Sequence, residues 1–134
     1  MTDYRGPVLT VVRCVPYGKV ISYGQVAAYI GAAKDAREIG WALSSMGQVD
    51  NFPWWRVINN AGRLSIKGNP EATADKQKQL LEKEGIKISA EHTLDIEAYR
   101  FRADEVMLVH FGLEPAAIKD VLAKFEEPKQ ISLF

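Results

Sequence analysis

Two helix starts in succession, at Ser22 and Asp35 with Gly31 between them, restrict the fold of this chain more than any other feature. Ser22-Tyr23-Gly24-Gln25 is a capping box: the serine hydroxyl accepts from the backbone three residues on, and the glutamine side chain reaches back. The helix it opens runs through Val26-Ala-Ala-Tyr-Ile30 and stops at Gly31. Asp35-Ala-Arg-Glu38 repeats the pattern with an acidic cap. In the second helix Ile39, Leu43 and Met46 fall on one stripe, the spacing of a core-facing side. Arg37, Trp41 and Ser44 form a second stripe at the same spacing. Two short helices joined by a tight turn make a helix-turn-helix. Many such hairpins bind nothing. An arginine and a large aromatic turned away from the core stripe need a further explanation.

The remaining chain supplies few other elements. Val8 to Val15 is apolar and helix-compatible, and Pro16-Tyr17-Gly18 breaks it. Cys14 lies inside that run, where a cysteine reads as a buried small hydrophobe rather than an activated thiol. Val20-Ile21 is a short extended piece. Arg56-Val-Ile58 reads as a strand, Asn60-Ala-Gly62 as a turn, Leu64-Ser-Ile66 as a further extended piece and Lys67-Gly-Asn-Pro70 as a loop. Ala72 to Gly85 is helical, with Gly85 as its stop, and Ile86 to Ile96 reads as extended. Between Tyr99 and Ala123 lie two apolar-patterned pieces, Val106 to Phe111 and Ile118 to Leu122, which read as added packing.

Composition excludes several classes. With 47% hydrophobic and 25% charged residues in 134, the chain reads as one globular domain rather than a disordered segment. No apolar run approaches the ~20 residues of a membrane span, and the N-terminus lacks the basic-then-apolar build of a signal peptide. A single cysteine excludes an internal disulfide and suits a reducing, cytoplasmic setting. His92 and His110 are far apart and lack a cysteine neighbour, so neither a metal nor a cofactor is expected. The net charge of zero hides an asymmetry. Residues 1–67 carry eight Lys and Arg against four acids; residues 68–134 carry nine against thirteen. A basic face for a polyanion and a scatter of solvated charges stand equal on charge alone.

The stretch Pro53-Trp54-Trp55-Arg56-Val57-Ile58-Asn59 is the most specific in the chain. Pro53 to Val57 resembles Pro-Cys-His-Arg-Val, the active-site signature of the O6-alkylguanine-DNA alkyltransferases, with the cysteine and histidine replaced. Val15 to Gly24 resembles the family's approach to its helix-turn-helix, and Ala36-Arg37-Glu-Ile-Gly40 the start of its recognition helix. The interval from Arg37 to Trp54 is the family's interval from arginine finger to nucleophile. Asn59-Asn-Ala-Gly62 and Leu80-Leu-Glu-Lys-Glu-Gly85 match its turn and closing helix. The match covers about Val8 to Ile88. The family's N-terminal ribonuclease-H-like domain has no counterpart here, as in the alkyltransferase-like group.

This resemblance implies an α/β, mostly α fold: a winged helix-turn-helix-like alkyltransferase domain with a small β element and a C-terminal helical extension. Residues 1–98 would form the DNA-binding domain, 99–125 the extension and 126–134 a tail. It also implies that nothing is transferred. The enzymes activate their cysteine through the histidine, a water and a glutamate. An indole is neither a nucleophile for that step nor a proton relay, and Glu84, at the acid position, has nothing to activate. Lesion binding needs no thiol, because a flipped base is held by aromatic and apolar walls. Trp54 would stack on the alkyl group or the base, at ~1–3 kcal/mol. By resemblance Arg37 is the finger filling the gap in the duplex, Tyr23 rotates the nucleotide out, and Arg56 braces the site.

The expected DNA-binding residues are thus Tyr23, Arg37, Trp41, Ser44 and Lys67. The expected lesion pocket is Tyr23, Pro53, Trp54, Trp55, Arg56, Val57 and Lys67. Three positions depart from the enzymes. Met46 replaces a hinge asparagine. Lys67 replaces a pocket-lid tyrosine and would reach the modified oxygen or a phosphate. Trp41 is bulky where they are small, and would intercalate, stack or narrow the fit.

The resemblance implies a monomeric, cytoplasmic, nucleoid-associated sensor of O6-alkylguanine. It would flip the lesion through the minor groove of double-stranded DNA and pass it to nucleotide-excision repair proteins. The tail ends in Gln130-Ile131-Ser132-Leu133-Phe134, which resembles the peptide that docks bacterial proteins on the replicative sliding clamp. The alternative is that Leu133 and Phe134 tuck against the domain. Two competing functions stay open: a helix-turn-helix transcription regulator without lesion specificity, and an enzyme working through another residue, for which no constellation is present.

Overall fold

The computed structural model describes residues 3–45, 52–64 and 74–126. The first helix, α1 (Arg5–Arg13), forms because Val8, Val11 and Val12 recur at i, i+3 and i+4 and all face the core. Its cap, Cys14, is half-buried against the core rather than enclosed in it, and Pro16 ends the run. The strand β1 (Ile21–Ser22) leads directly into α2 (Tyr23–Tyr29).

The capping box expected at Ser22 is present. The backbone N–H of Gln25 donates to Ser22 Oγ at 3.1 Å, and Ser22 N–H donates to Gln25 Oε1 at 3.4 Å. Gly31 ends the helix region at φ +75°. One 3-10 turn, Ala33–Asp35, delivers the chain to α3 (Ala36–Ser45), which buries Ile39 and Leu43. Met46 lies outside the described residues. The carboxylate of Asp35 accepts a hydrogen bond from the Tyr4 hydroxyl, which ties the start of α3 to α1.

Arg56 is not in a strand. Trp54–Arg56 form one 3-10 turn, and only Val57–Ile58 are extended, as β2. β2 pairs in parallel with β1, Ile21 opposite Val57 and Ser22 opposite Ile58. The turn after β2 closes with Gly62 N–H on Asn59 C=O at 2.9 Å. Gly62 sits at φ +83°, and a Cβ there would lie 2.2 Å from the carbonyl oxygen of Leu94. Only glycine lets these two backbones meet. Next comes α4 (Ala74–Lys83), burying Gln77 and Leu81 and stopped by Gly85 at φ +86°. Residues 86–95, expected to be extended, contain one antiparallel bridge, Arg63 to Thr93, and a turn. Their amides bond to the 59–64 turn, to each other, to Leu81 C=O and to the Tyr99 hydroxyl rather than to a sheet.

The two apolar pieces beyond Tyr99 are helices. A short α5 (Ile96–Tyr99) precedes α6 (Glu105–His110), capped by Asp104, and α7 (Pro115–Lys124), with proline in its first turn. Their inner faces are continuous with the rest. Phe101, Leu108, Leu113 and Ile118 share one hydrophobic cluster with Val8, Val12, Val26, Ile39 and Val57. A second cluster, Val20, Ile58, Leu64, Leu81, Ile86, Leu94 and Ile96, holds α4 and the 86–96 segment. The fold is thus mostly helical around a small parallel sheet. No described helix is long and apolar enough to cross a membrane.

Candidate nucleic-acid interface

α3 presents the second stripe outward. Arg37 is exposed, and Trp41 keeps 66% of its surface accessible, while Ser44 is half-buried with its Oγ on Gly40 C=O at 3.0 Å. Trp41 is not isolated on that face. It borders a shallow groove with Tyr4, Arg5 and Glu38, which brings the start of α1 to the same face. Tyr23, the first residue of α2, is half-buried against the main core cluster, and burial pushes its phenol up to about 12. Lys67 lies outside the described residues, as do Gln130 to Phe134.

The Trp54–Arg56 turn joins the two cores. Trp54 packs against the cluster of α1–α3 and Trp55 against that of α4. Their rings meet edge to face, with centroids 6.0 Å apart and planes at 87°. Pro53 is half-buried at the head of this turn. Val57 is fully buried in β2, so its side chain belongs to the core beneath the turn. Gln77 of α4 donates to the carbonyls of both Trp55 and Val57, at 3.0 and 2.9 Å, fixing the backbone on either side of Arg56.

Glu84 is the hub of the site. Its carboxylate accepts from Trp55 Nε1 at 2.7 Å, from Arg56 Nε at 3.1 Å and Nη2 at 3.0 Å, and from the Gly18 N–H at 2.8 Å. Only 5% of the Glu84 side chain and 14% of the Arg56 side chain reach solvent. Burial alone would raise the pKa of Glu84. The bonds from Arg56, Gly18 and Trp55 outweigh it and hold the carboxyl below its ordinary range. Arg56 also donates to Val15 C=O at 2.9 Å, and its guanidinium carbon lies 5.6 Å from the Trp55 ring centroid and 6.0 Å from that of Tyr17. The Tyr17 hydroxyl donates to Lys83 C=O at 2.6 Å.

Four contributors escaped the sequence reading. Tyr17 and Gly18 read as a helix break on the approach to the helix-turn-helix, although they clamp Glu84 and its helix end. Gln77 is a polar residue on a core-facing helical position, a signal that was available. Arg100, buried, donates to Gln25 Oε1 at 3.0 Å, Asn60 Oδ1 at 3.3 Å and Glu97 Oε1 at 3.1 Å. It thereby ties the cap of the Tyr23 helix to the turn after β2.

Chemically the site offers aromatic faces, an exposed arginine and a saturated ion pair. Its central carboxylate already accepts from three residues, Trp55, Arg56 and Gly18, so it is poorly placed to act as a base. Among the described residues no three His, Cys, Asp or Glu side chains converge as metal ligands.

The family described as 6-O-methylguanine DNA methyltransferase, DNA binding domain, matches residues 3–86. A DNA base-flipping protein of Vibrio parahaemolyticus is 35% identical over 102 residues, 76% of this chain and 99% of its own. Alkyltransferase-like protein 1 of Schizosaccharomyces pombe is 35% identical over 106 residues, 76% of this chain and 97% of its own. The crystal structure of S. pombe Atl1 in complex with damaged DNA containing O6-carboxymethylguanine superposes with a TM-score of 0.69 at 34% identity, covering 77% of this chain and 98% of the other.

Proposed function

The chain belongs to the family of the 6-O-methylguanine DNA methyltransferase DNA-binding domain, as an alkyltransferase-like protein, and from that premise we propose that it is a non-enzymatic sensor of O6-alkylguanine in duplex DNA. The observation that carries this reading is an indole at position 54, held edge to face against Trp55, where a transferring enzyme needs a thiol. An S. pombe relative with 34% identity in complex with O6-carboxymethylguanine DNA supports it.

In this reading α3 enters the minor groove, where base readout is poor and scanning for damage is therefore independent of sequence. Arg37 fills the gap left by the flipped base, and Tyr23 presses the adjacent phosphate. Trp41 and Ser44 contact the strand, and Lys67 contacts the modified oxygen or a phosphate. Trp54 and Trp55 wall the lesion above Pro53 and Val57, and Arg56 braces the wall. Few phosphates are neutralised, so affinity is modest and falls with salt. The bound lesion passes to nucleotide-excision repair proteins. Gln130 to Phe134 docks on the sliding clamp, and deleting 130–134 should abolish clamp pull-down with lesion binding intact; undiminished pull-down would remove that assignment.

The test is fluorescence anisotropy at physiological salt on two duplexes of one sequence, with O6-methylguanine or guanine, followed by mass analysis of the recovered DNA. Tighter binding to the modified duplex with its methyl group intact supports a sensor, and Arg37→Ala should then lose most of that affinity. Equal binding to both duplexes would leave a regulator without lesion specificity. Loss of the methyl group would mean an enzyme.

A further inference from the structure

Trp55 has no role assigned by the reading above beyond that of a wall. Its surroundings are more specific than a wall requires. The indole plane is fixed on three sides: by its N–H on Glu84 Oε2 at 2.7 Å, by the Arg56 guanidinium at 5.6 Å from its centroid, and by Trp54 at 87°. Its own carbonyl is fixed by Gln77. Charge-assisted bonds of this length are the strong and directional ones. Glu84 does not need this bond to stay buried, because Arg56 and Gly18 already satisfy both of its oxygens. What the bond adds is the orientation of the ring against which Trp54 is set.

We infer that Trp55 is a positioning residue: Glu84 fixes its indole, the indole fixes Trp54, and the angle of Trp54 sets discrimination between alkylated and unmodified guanine. The inference rests on the lesion-sensor reading. It gives the carboxylate a second use, an anchor for an aromatic pair in place of a proton relay. Preorganised aromatic faces bind a planar ligand without first losing rotamer freedom, so freeing the ring weakens lesion binding rather than backbone contact. The phosphate contacts assigned to Tyr23 and the exposed α3 face are separate from the Glu84 cluster, so affinity for plain duplex should not move.

The experiment compares the full chain with Trp55→Phe and Trp55→His. Phenylalanine keeps a ring and loses the donor. Histidine loses the benzo ring but carries a ring N–H at the equivalent place in its five-membered ring. The readout is the ratio of Kd for guanine duplex to Kd for O6-methylguanine duplex, with thermal melting to confirm folding. Trp55→Phe should lower the ratio about tenfold, through the lesion arm alone, the size expected for one charge-assisted bond. Trp55→His should retain most of the ratio. If Trp55→Phe does not fold, 3-benzothienylalanine at 55, isosteric but without the N–H, replaces it and should give the same loss. An unchanged ratio in the N–H-deficient protein overturns the inference while leaving the sensor reading intact, and so does an equal loss in Trp55→His, which would assign the effect to ring area. A wild-type ratio of one overturns the sensor reading, and this inference falls with it.

Discussion

Removing the Glu84 carboxylate should destabilise the protein more than any other single truncation at the site. Glu84→Ala takes the counter-ion from Arg56, of whose side chain 14% is exposed, and leaves the guanidinium bonded to Val15 C=O and to the Tyr17 and Trp55 rings. It also strands the Gly18 N–H and the Trp55 N–H. Breaking a buried pair by removing one partner costs about 3–5 kcal/mol. The residual exposure of Arg56 admits water, which places the expected loss near the lower end, ~3 kcal/mol. In a domain of this size that corresponds to a fall in Tm of about 10 °C. The assay is urea denaturation at pH 7, with Arg56→Met and the double variant completing a cycle. The double variant should lose less than the sum of the singles by about 1–3 kcal/mol, since it no longer buries an unpaired charge. The pH dependence has a fixed sign. Glu84 is held below its ordinary range in the fold, so its contribution is whole above the pKa of an unfolded glutamate. It disappears as pH falls through the folded value. The gap between wild type and Glu84→Ala should therefore be level from pH 7 to 5 and close on further acidification. A loss under ~1 kcal/mol, or a gap indifferent to acid, would refute the reasoning.

Two further outcomes follow from the same geometry. Gly62→Ala and Gly85→Ala both force alanine to φ above +80°, but only the first drives a Cβ to 2.2 Å from the Leu94 oxygen. Gly85→Ala should cost about 1 kcal/mol and Gly62→Ala at least ~3 kcal/mol, and equal melting temperatures would contradict the close approach. In an ultraviolet titration Tyr23 should ionise near 12, and the amplitude lost there in Tyr23→Phe identifies it. Because its folded pKa is raised, its contribution to stability is complete below about pH 10 and lost as pH rises toward 12. No amplitude lost near pH 12 in Tyr23→Phe would refute the assignment.

Much of the helix-turn-helix was legible in the sequence. Its signals are local: a cap is bonded three residues away, and a core stripe repeats every three or four, so Ser22, Gln25, Ile39 and Leu43 state their roles in sequence. The stops at Gly31 and Gly85 read correctly for the same reason. Cys14 shows the limit, since an apolar run places it in a helix but does not say how deeply it is covered.

The chain order alone determined which residue types stand at Pro53 to Val57, hence that position 54 carries an indole and no thiol. It also determined the helix pair whose second member, α3, carries Arg37 and Trp41. Tertiary structure decided how those parts meet. Two-residue strands have no period to read, so the parallel pairing of Ile21 with Val57 is set by packing across the chain. The donors on Glu84 come from Gly18, Trp55 and Arg56, and those positions acquire meaning only when α4, the 3-10 turn and the Val15–Gly18 bend converge. A carboxylate that reads in sequence as an acid without a partner is, in space, the anchor of the site, because burial makes its hydrogen bonds obligatory and no local pattern records who supplies them.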